Sequence, residues 1–216
     1  MPKTQYVKYP RTPHLPWSPG KTGDDERLDT ILHLERLPDV VVTEKLDGEN
    51  TTLYRDYLHA RSIDGLSHVS RNWLKRFHAA MCYKIPQDMR ICGENLFARH
   101  SIFYDALSSY FCVFAIFENE ICLPWDDTVA WCRNLELTPT PVLYRGPWNE
   151  SQIRLCWRNV SSYGSEQEGY VVRNAAAFRF ADFKSHVAKY VRAAHVRTTK
   201  HWKRAAVVTN QLIKVV

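Results

Sequence analysis

Thr43-Glu44-Lys45-Leu46-Asp47-Gly48-Glu49-Asn50, set between the apolar Val40-Val41-Val42 and the β-branched and aromatic Thr51-Thr52-Leu53-Tyr54, decides how this chain is read. β-prone runs on either side of Asp47-Gly48 predict strand, tight turn, strand. Glycine at 48 keeps a side chain out of the way of a ligand that must approach the backbone. Lys45 then stands at the end of a buried strand, beside that opening. By itself Lys-x-Asp-Gly describes an ordinary hairpin with a solvated lysine. Its meaning depends on what the chain places at its other strand ends.

Toward the N-terminus, Asp24 to Leu37 carries Leu28, Ile31, Leu32 and Leu34 at helical spacing, closed by Pro38, and predicts a short amphipathic helix. Residues 1–24 are rich in Pro, Gly and basic groups; prolines at 10, 13, 16 and 19 exclude helix and predict a basic extended arm on the surface. Gly20-Lys21-Thr22 ends like a P-loop, but the position that requires the first glycine is Leu15 and no strand precedes it, so a P-loop is excluded. Arg11, His14 and Lys21 could still touch phosphates, with a solvated basic arm as the expected reading.

Downstream, Tyr57 to Ser62 reads as a strand and residues 66–84 as an amphipathic helix, with Arg71, Lys75 and Arg76 on its solvated face. Arg90 to Leu96 predicts a strand ending in Gly93-Glu94. Tyr110 to Phe117 is almost wholly apolar and predicts a strand buried on both faces. Asp126–Leu135 and Glu150–Val160 are candidate helices. Gly169 to Arg173 returns to strand directly after Glu168, and Val187–Val191 is a further short strand. The expected fold class is α+β, in one domain spanning residues 1–216. A basic arm over about 1–24 and a short basic extension over about 193–216 would flank it.

A chain of 216 residues can bury a sizeable core, and its net charge of +6 permits a polyanionic partner without demanding one. Its six cysteines include no Cys-x-x-Cys pair, which argues against a zinc ribbon or redox motif. Met1-Pro2-Lys3-Thr4 opens no apolar leader, and no apolar run is long enough to cross a bilayer. A reduced, cytoplasmic protein without a membrane partner is the expectation.

Lys45, Arg61, Glu94, Glu168 and Lys189 each sit in or beside a predicted strand. A fold that gathers those ends makes a cleft of mixed charge, which suits chemistry on a nucleoside triphosphate. Carboxylates can hold a hard divalent cation that bridges phosphate oxygens, and cations stabilise a leaving pyrophosphate. A lysine that attacks phosphorus must first lose its proton, so its surroundings have to assist that loss.

These motifs, in this order, resemble the covalent nucleotidyltransferase superfamily of ATP-dependent DNA and RNA ligases and mRNA capping enzymes. Within it the chain is most similar to RNA ligases of the phage T4 RNA ligase 2 type. The resemblance implies a ligase-type adenylyltransferase fold, with antiparallel sheets around an ATP cleft. It implies that Lys45 becomes covalently adenylylated, that Glu44 contacts adenine and that Asn50 positions metal-bound water. His59-Ala60-Arg61-Ser62 matches the motif whose arginine binds phosphate or the incoming strand. Cys92-Gly93-Glu94-Asn95 matches the motif whose carboxylate meets ribose or a metal water. Phe114 matches the aromatic that stacks on adenine, Glu168 the metal-binding glutamate, and Lys189 the first lysine of the last motif.

The implied activity is sealing of nicked or broken RNA ends in RNA repair, with ATP and Mg²⁺ or Mn²⁺. DNA or an RNA/DNA hybrid is an alternative partner. Alternative readings are a minimal ATP-dependent DNA ligase and an end-binding module that has lost ligation. Two departures stand out. Lys189-Tyr190-Val191 lacks the second lysine of the last motif, for which Lys184 or Arg192 is a candidate replacement on the phosphates. The stretch after it is too short for an OB domain, and Arg192, His195, Lys203 and Arg204 are candidates for its nucleic-acid contacts.

Overall fold

The computed structural model describes residues 6–20, 25–63, 68–193 and 207–214. Its strands are β1 (Val40–Lys45), β2 (Glu49–Leu53), β3 (Leu58–Ala60), β4 (Met89–Asn95), β5 (Phe111–Glu118), β6 (Ile121–Cys122), β7 (Thr138–Pro139), β8 (Val142–Gly146), β9 (Gly169–Asn174), β10 (Phe178–Arg179) and β11 (Val187–Val191). Its α-helices are α1 (Leu32–Glu35), α2 (Asn72–Met81), α3 (Trp125–Asn134), α4 (Glu150–Arg154) and α5 (Phe183–His186).

Two sheets carry the molecule. One runs β11-β9-β1-β8 and the other β10-β6-β5-β4-β2-β3, antiparallel throughout these paths; β7 joins β5 in parallel. The strand-turn-strand at 43–50 is present, but it is not a hairpin. β1 pairs with β8 and β9, whereas β2 pairs with β3 and β4, so the turn hands the chain from one sheet to the other. Gly48 permits that crossing for a reason other than ligand access. A Cβ there would lie 2.5 Å from the Asn95 carbonyl oxygen and 2.9 Å from Leu96 Cδ2, inside contact distance of β4.

Each sheet has an outer core. Leu53, Ile91, Phe111, Val113 and Ile116 pack beneath α2 and α3, and Val40, Val42, Tyr170, Val172 and Ala188 pack with Leu34 and Ile153. Between the sheets, Cys92, Ala115 and Phe117 meet Val187, Phe178 and Phe183, with Phe114 and Val171 at the margin. β5 is therefore buried on both faces, as its composition requires. Five of the six free cysteines are buried; Cys82 is half-buried.

Helices are shorter than periodicity predicts, because other groups take the backbone. In the expected Asp24–Leu37 helix only α1 forms: His14 N donates to Glu26 O and Leu28 N to His14 O, which holds the preceding stretch extended. The expected Glu150–Val160 helix stops at Arg154; the Gln167 side-chain oxygen captures Arg158 N at 2.8 Å. Within 66–84, α2 starts at Asn72 after a 3₁₀ turn. β8, after Pro139 and Pro141, is a strand the sequence did not announce.

The largest departure is the N-terminal arm, which is not a solvated appendage. Leu15 N donates to Lys189 O and Lys189 N to Pro13 O, so residues 13–15 lie along β11 as an added edge strand. Leu15, His14 and Ser18 are buried, and Trp17 Nε1 donates to the Tyr170 hydroxyl at 2.9 Å. At the other end, Asn210 Nδ2 donates to Leu96 O and its Oδ1 accepts from Tyr104 N, which straps residues 207–214 onto the loop after β4.

Leu15→Ala is expected to cost about 2–5 kcal/mol, because it opens a cavity in a core that the arm helps to build. Chemical denaturation measures it. A change within about 0.5 kcal/mol is the outcome for a surface appendage and contradicts this packing.

Candidate active site

The sheets diverge above their shared core into a cleft of about 530 Å³. Lys45, Glu44, Asn50, Arg61, Glu94, Phe114 and Lys189 line it, drawn from β1, β2, β4, β5 and β11 and the turn after β3. Lys45 pairs with Gly169 across β1 and β9, which sets Glu168 beside it. Lys45 Nζ donates to Glu168 Oε2 at 2.6 Å, with the Glu168 side chain 6% exposed. Asn50 lies opposite Glu94 in the β2–β4 register, and Gly48 N donates to Glu94 Oε1 at 3.1 Å.

The turn itself is clamped. Asp47 Oδ2 accepts from Ser101 N and Ile102 N, both at 2.7 Å, while Asp47 N donates to the Tyr104 hydroxyl. Three carboxylates thus surround one ammonium. Burial, reinforced by the neighbouring carboxylates and opposed by Lys45, pushes Glu94 up to about 8 and Glu168 up to about 7. Burial alone would lower the pKa of Lys45; Glu168 and then Glu94 outweigh it and hold that pKa above its ordinary value. Burial, then the charge of Lys45, lowers the pKa of Lys189, and Asp25 opposes them. Lys189 Nζ contacts Asp25 Oδ1 at 3.2 Å.

Two buried acceptors here have no hydrogen-bond partner among the described residues: Glu44 Oε1 and Asn50 Oδ1. The other oxygen of Glu44 accepts from Ser162 N at 2.9 Å, so Oε1 is held in place for an incoming donor. The donor set also fits a divalent cation. When both ionise, Glu94 and Glu168 carry more negative charge than Lys45 offsets, and Asn50 Oδ1 can accept from a metal-bound water. Among the described residues no cluster of three His, Cys, Asp or Glu forms a cage, so such an ion would keep several waters and take phosphate oxygens.

Some expected members stand elsewhere. Lys184 donates to Glu26 Oε2 at 2.6 Å on the exposed surface, because α5 turns it away from the cleft. Arg192 pairs with Glu166, and its backbone N donates to Glu168 O. Neither is among the residues that line the cleft. Arg61 is exposed at the mouth. Lys21, His195, Lys203 and Arg204 lie outside the described residues.

Sequence reading missed other members. Arg71 is not on a solvated face; it is buried and forks onto Glu49, Nε to Oε2 at 2.6 Å and Nη2 to Oε1 at 2.5 Å. Tyr9 packs edge-on against Phe114 at 4.9 Å and Phe183 at 5.2 Å, fixing the ring that faces the cleft. Arg11 and Asp25 line the wall as well. For this segment the sequence reading favoured solvent and kept Arg11 only as an alternative phosphate contact; nothing in it marked Tyr9 or Asp25.

The sequence profile of a family described as RNA ligase matches residues 38–191. A mutant of the Naegleria gruberi RNA ligase, solved with ATP and Mn, superposes with a TM-score of 0.54 at 16% identity, covering 82% of this chain and 57% of its own. The same enzyme with pyrophosphate gives 0.51 at 16% identity, covering 74% and 51%. A candidate ATP-dependent DNA ligase from Aquifex aeolicus gives 0.53 at 17% identity, covering 88% and 51%. The chain therefore spans little more than half the length of these structures. No curated protein matches it. Among the described residues no helix is long and apolar enough to cross a membrane.

The upward shifts of Glu94 and Glu168 have a stability consequence. Between an ordinary glutamate pKa and about 8 the folded chain binds more protons than the unfolded one, so stability from these groups is full at low pH and is lost as pH rises through about 7 to 8. Glu94→Gln keeps the acceptor for Gly48 and removes the charge. It is expected to raise Tm in metal-free buffer at about pH 8 by about 2–4 °C and to change it little near pH 4. Scanning fluorimetry measures this; a lower Tm at pH 8 contradicts the assigned charge excess.

Proposed function

Because this chain belongs to the RNA ligase family, we propose that it is an ATP-dependent RNA ligase that joins 3′-OH and 5′-phosphate ends through a lysyl-AMP on Lys45. One observation carries the reading: Lys45 ends β1 inside a cleft where Glu168 touches its ammonium and Lys189 and Arg61 line the same walls. A mutant of the Naegleria gruberi RNA ligase was solved with ATP and Mn, and the enzyme also with pyrophosphate, which supports the same ligands here.

In this reading the base lies between Phe114 and Val171, the apolar margins of the cleft. Glu44 Oε1 accepts from the exocyclic amino group of adenine. A guanine would set its carbonyl oxygen against that buried acceptor, so the site selects ATP over GTP. Lys45 Nζ attacks the α-phosphorus; a nitrogen–phosphorus bond forms and the bond to pyrophosphate breaks. The ammonium, 2.6 Å from Glu168, must first lose a proton, and a divalent cation held beside it together with the neighbouring cations would favour that loss. Glu168 and Glu94 would hold the divalent cation, Mg²⁺ or Mn²⁺, which offsets phosphate charge and favours neutral Lys45. Lys189 contacts the α-phosphate. AMP then passes from Lys45 to a 5′-phosphate, and a 3′-OH displaces it to seal the strand. Arg61, at the mouth, holds the phosphate of the incoming strand.

The partner in this proposal is nicked or broken RNA. In the same proposal the chain is a single nucleotidyltransferase domain that works in the reducing cytoplasm.

A nicked duplex with RNA on both sides, incubated with ATP and Mg²⁺, tests the proposal. The protein is expected to seal it, Lys45→Ala to seal none with its fold intact, and Glu168→Gln to lose at least about a hundredfold in rate. Sealing that survives Lys45→Ala contradicts the mechanism. Sealing of DNA nicks alone moves the substrate to DNA.

A further inference from the structure

β11 carries Lys189 into the cleft and ends two residues later at Val191, where the last motif of the resembled ligases has a second lysine. Strand alternation puts Val187, Lys189 and Val191 on one face. Val191 is nevertheless buried, and the N-terminal segment covers it. Gly20 N donates to Val191 O at 2.9 Å, and Ser18 Oγ accepts from Val191 N at 2.9 Å. A Cβ on Gly20 would lie 2.9 Å from Val191 Cγ1 and 2.3 Å from the Arg192 carbonyl oxygen. A lysine at 191 would have to displace this segment.

The same segment compensates. It runs back along β11 through Leu15 and Pro13, and so delivers Arg11 to the cleft wall beside Arg61 and Lys189. We propose that Arg11 binds the β- and γ-phosphates of ATP and the departing pyrophosphate, in place of the lysine that the last motif lacks. The inference rests on the reading of Lys45 as the adenylylated residue.

The chemistry suits the role. A guanidinium keeps its charge and can fork onto two phosphate oxygens, so Arg11 provides a fixed cation where Lys189 alone would face a tetra-anion. Local electrostatics agree. Burial, then the nearby charge of Arg11, lowers the pKa of Arg61, and Asp25 opposes both. Two guanidiniums thus share one wall. Asp25 also touches Lys189 at 3.2 Å, so this corner already pairs its lysine with an anion. A pyrophosphate brings more negative charge to Lys189 than Asp25 does.

Calorimetric binding of ATP, pyrophosphate and AMP to wild type, Arg11→Ala and Arg11→Lys tests the assignment, alongside labelling of wild type with ATP. Arg11→Ala is expected to weaken ATP and pyrophosphate by about tenfold or more, to leave AMP within about twofold, and Arg11→Lys to lie between. Unchanged ATP and pyrophosphate affinity, or an equal loss for AMP, overturns the role of Arg11 while labelled wild type leaves the ligase reading standing. Wild type that takes no AMP from ATP overturns that reading and this inference with it.

Discussion

The ammonium of Lys45 and the carboxylate of Glu168 meet at 2.6 Å in a place where Glu168 is nearly closed to water, and the surrounding architecture keeps that pair together yet reachable. Their meeting is a matter of strand register: Lys45 stands opposite Gly169, so the residue before Gly169 falls against Nζ. Glu94 and Asp47 add negative charge that one ammonium does not balance. A buried pair of this kind contributes little to stability, because desolvation offsets much of the attraction. Once these carboxylates ionise, the imbalance favours an added cation, which is the sense in which the fold gives up stability for function.

The supports around the pair come from distant parts of the chain. Asp47 is clamped by Ser101 and Ile102, and that loop is held by Asn210 through Leu96 and Tyr104. Tyr9 fixes Phe114 from the opposite end of the sequence. Residues 207–214 therefore support the cleft by hydrogen bonds to a loop, and residues 9–18 by lying along a sheet edge.

What sequence could tell follows from the range of each interaction. The strands at 40–45, 89–95, 111–118 and 169–174 were legible because their apolar runs are long and bounded by Gly, Asp or Glu. The carboxylates and lysines were legible because they close those strands. That β1 and β2 part into different sheets was not, since the local pattern of a hairpin and of a crossing is the same. Nor was the docking of residues 6–20. Prolines describe an extended backbone, and only the tertiary structure decides whether it runs through solvent or along β11. Arg71 shows the same limit: helical spacing placed it outside, and Glu49, far away in sequence, holds it inside. The C-terminal strap was hidden for that reason too, because Asn210 works through backbone groups more than a hundred residues away.

The central claim is that Lys45, and no other lysine, is the nucleophile. Intact and peptide mass spectrometry of the native protein after incubation with ATP and Mg²⁺, without nucleic acid, addresses it directly. The account predicts a single acid-labile AMP adduct on the peptide that carries Lys45, reversed by added pyrophosphate. An adduct on another lysine, or no adduct on folded protein at saturating ATP, would contradict it.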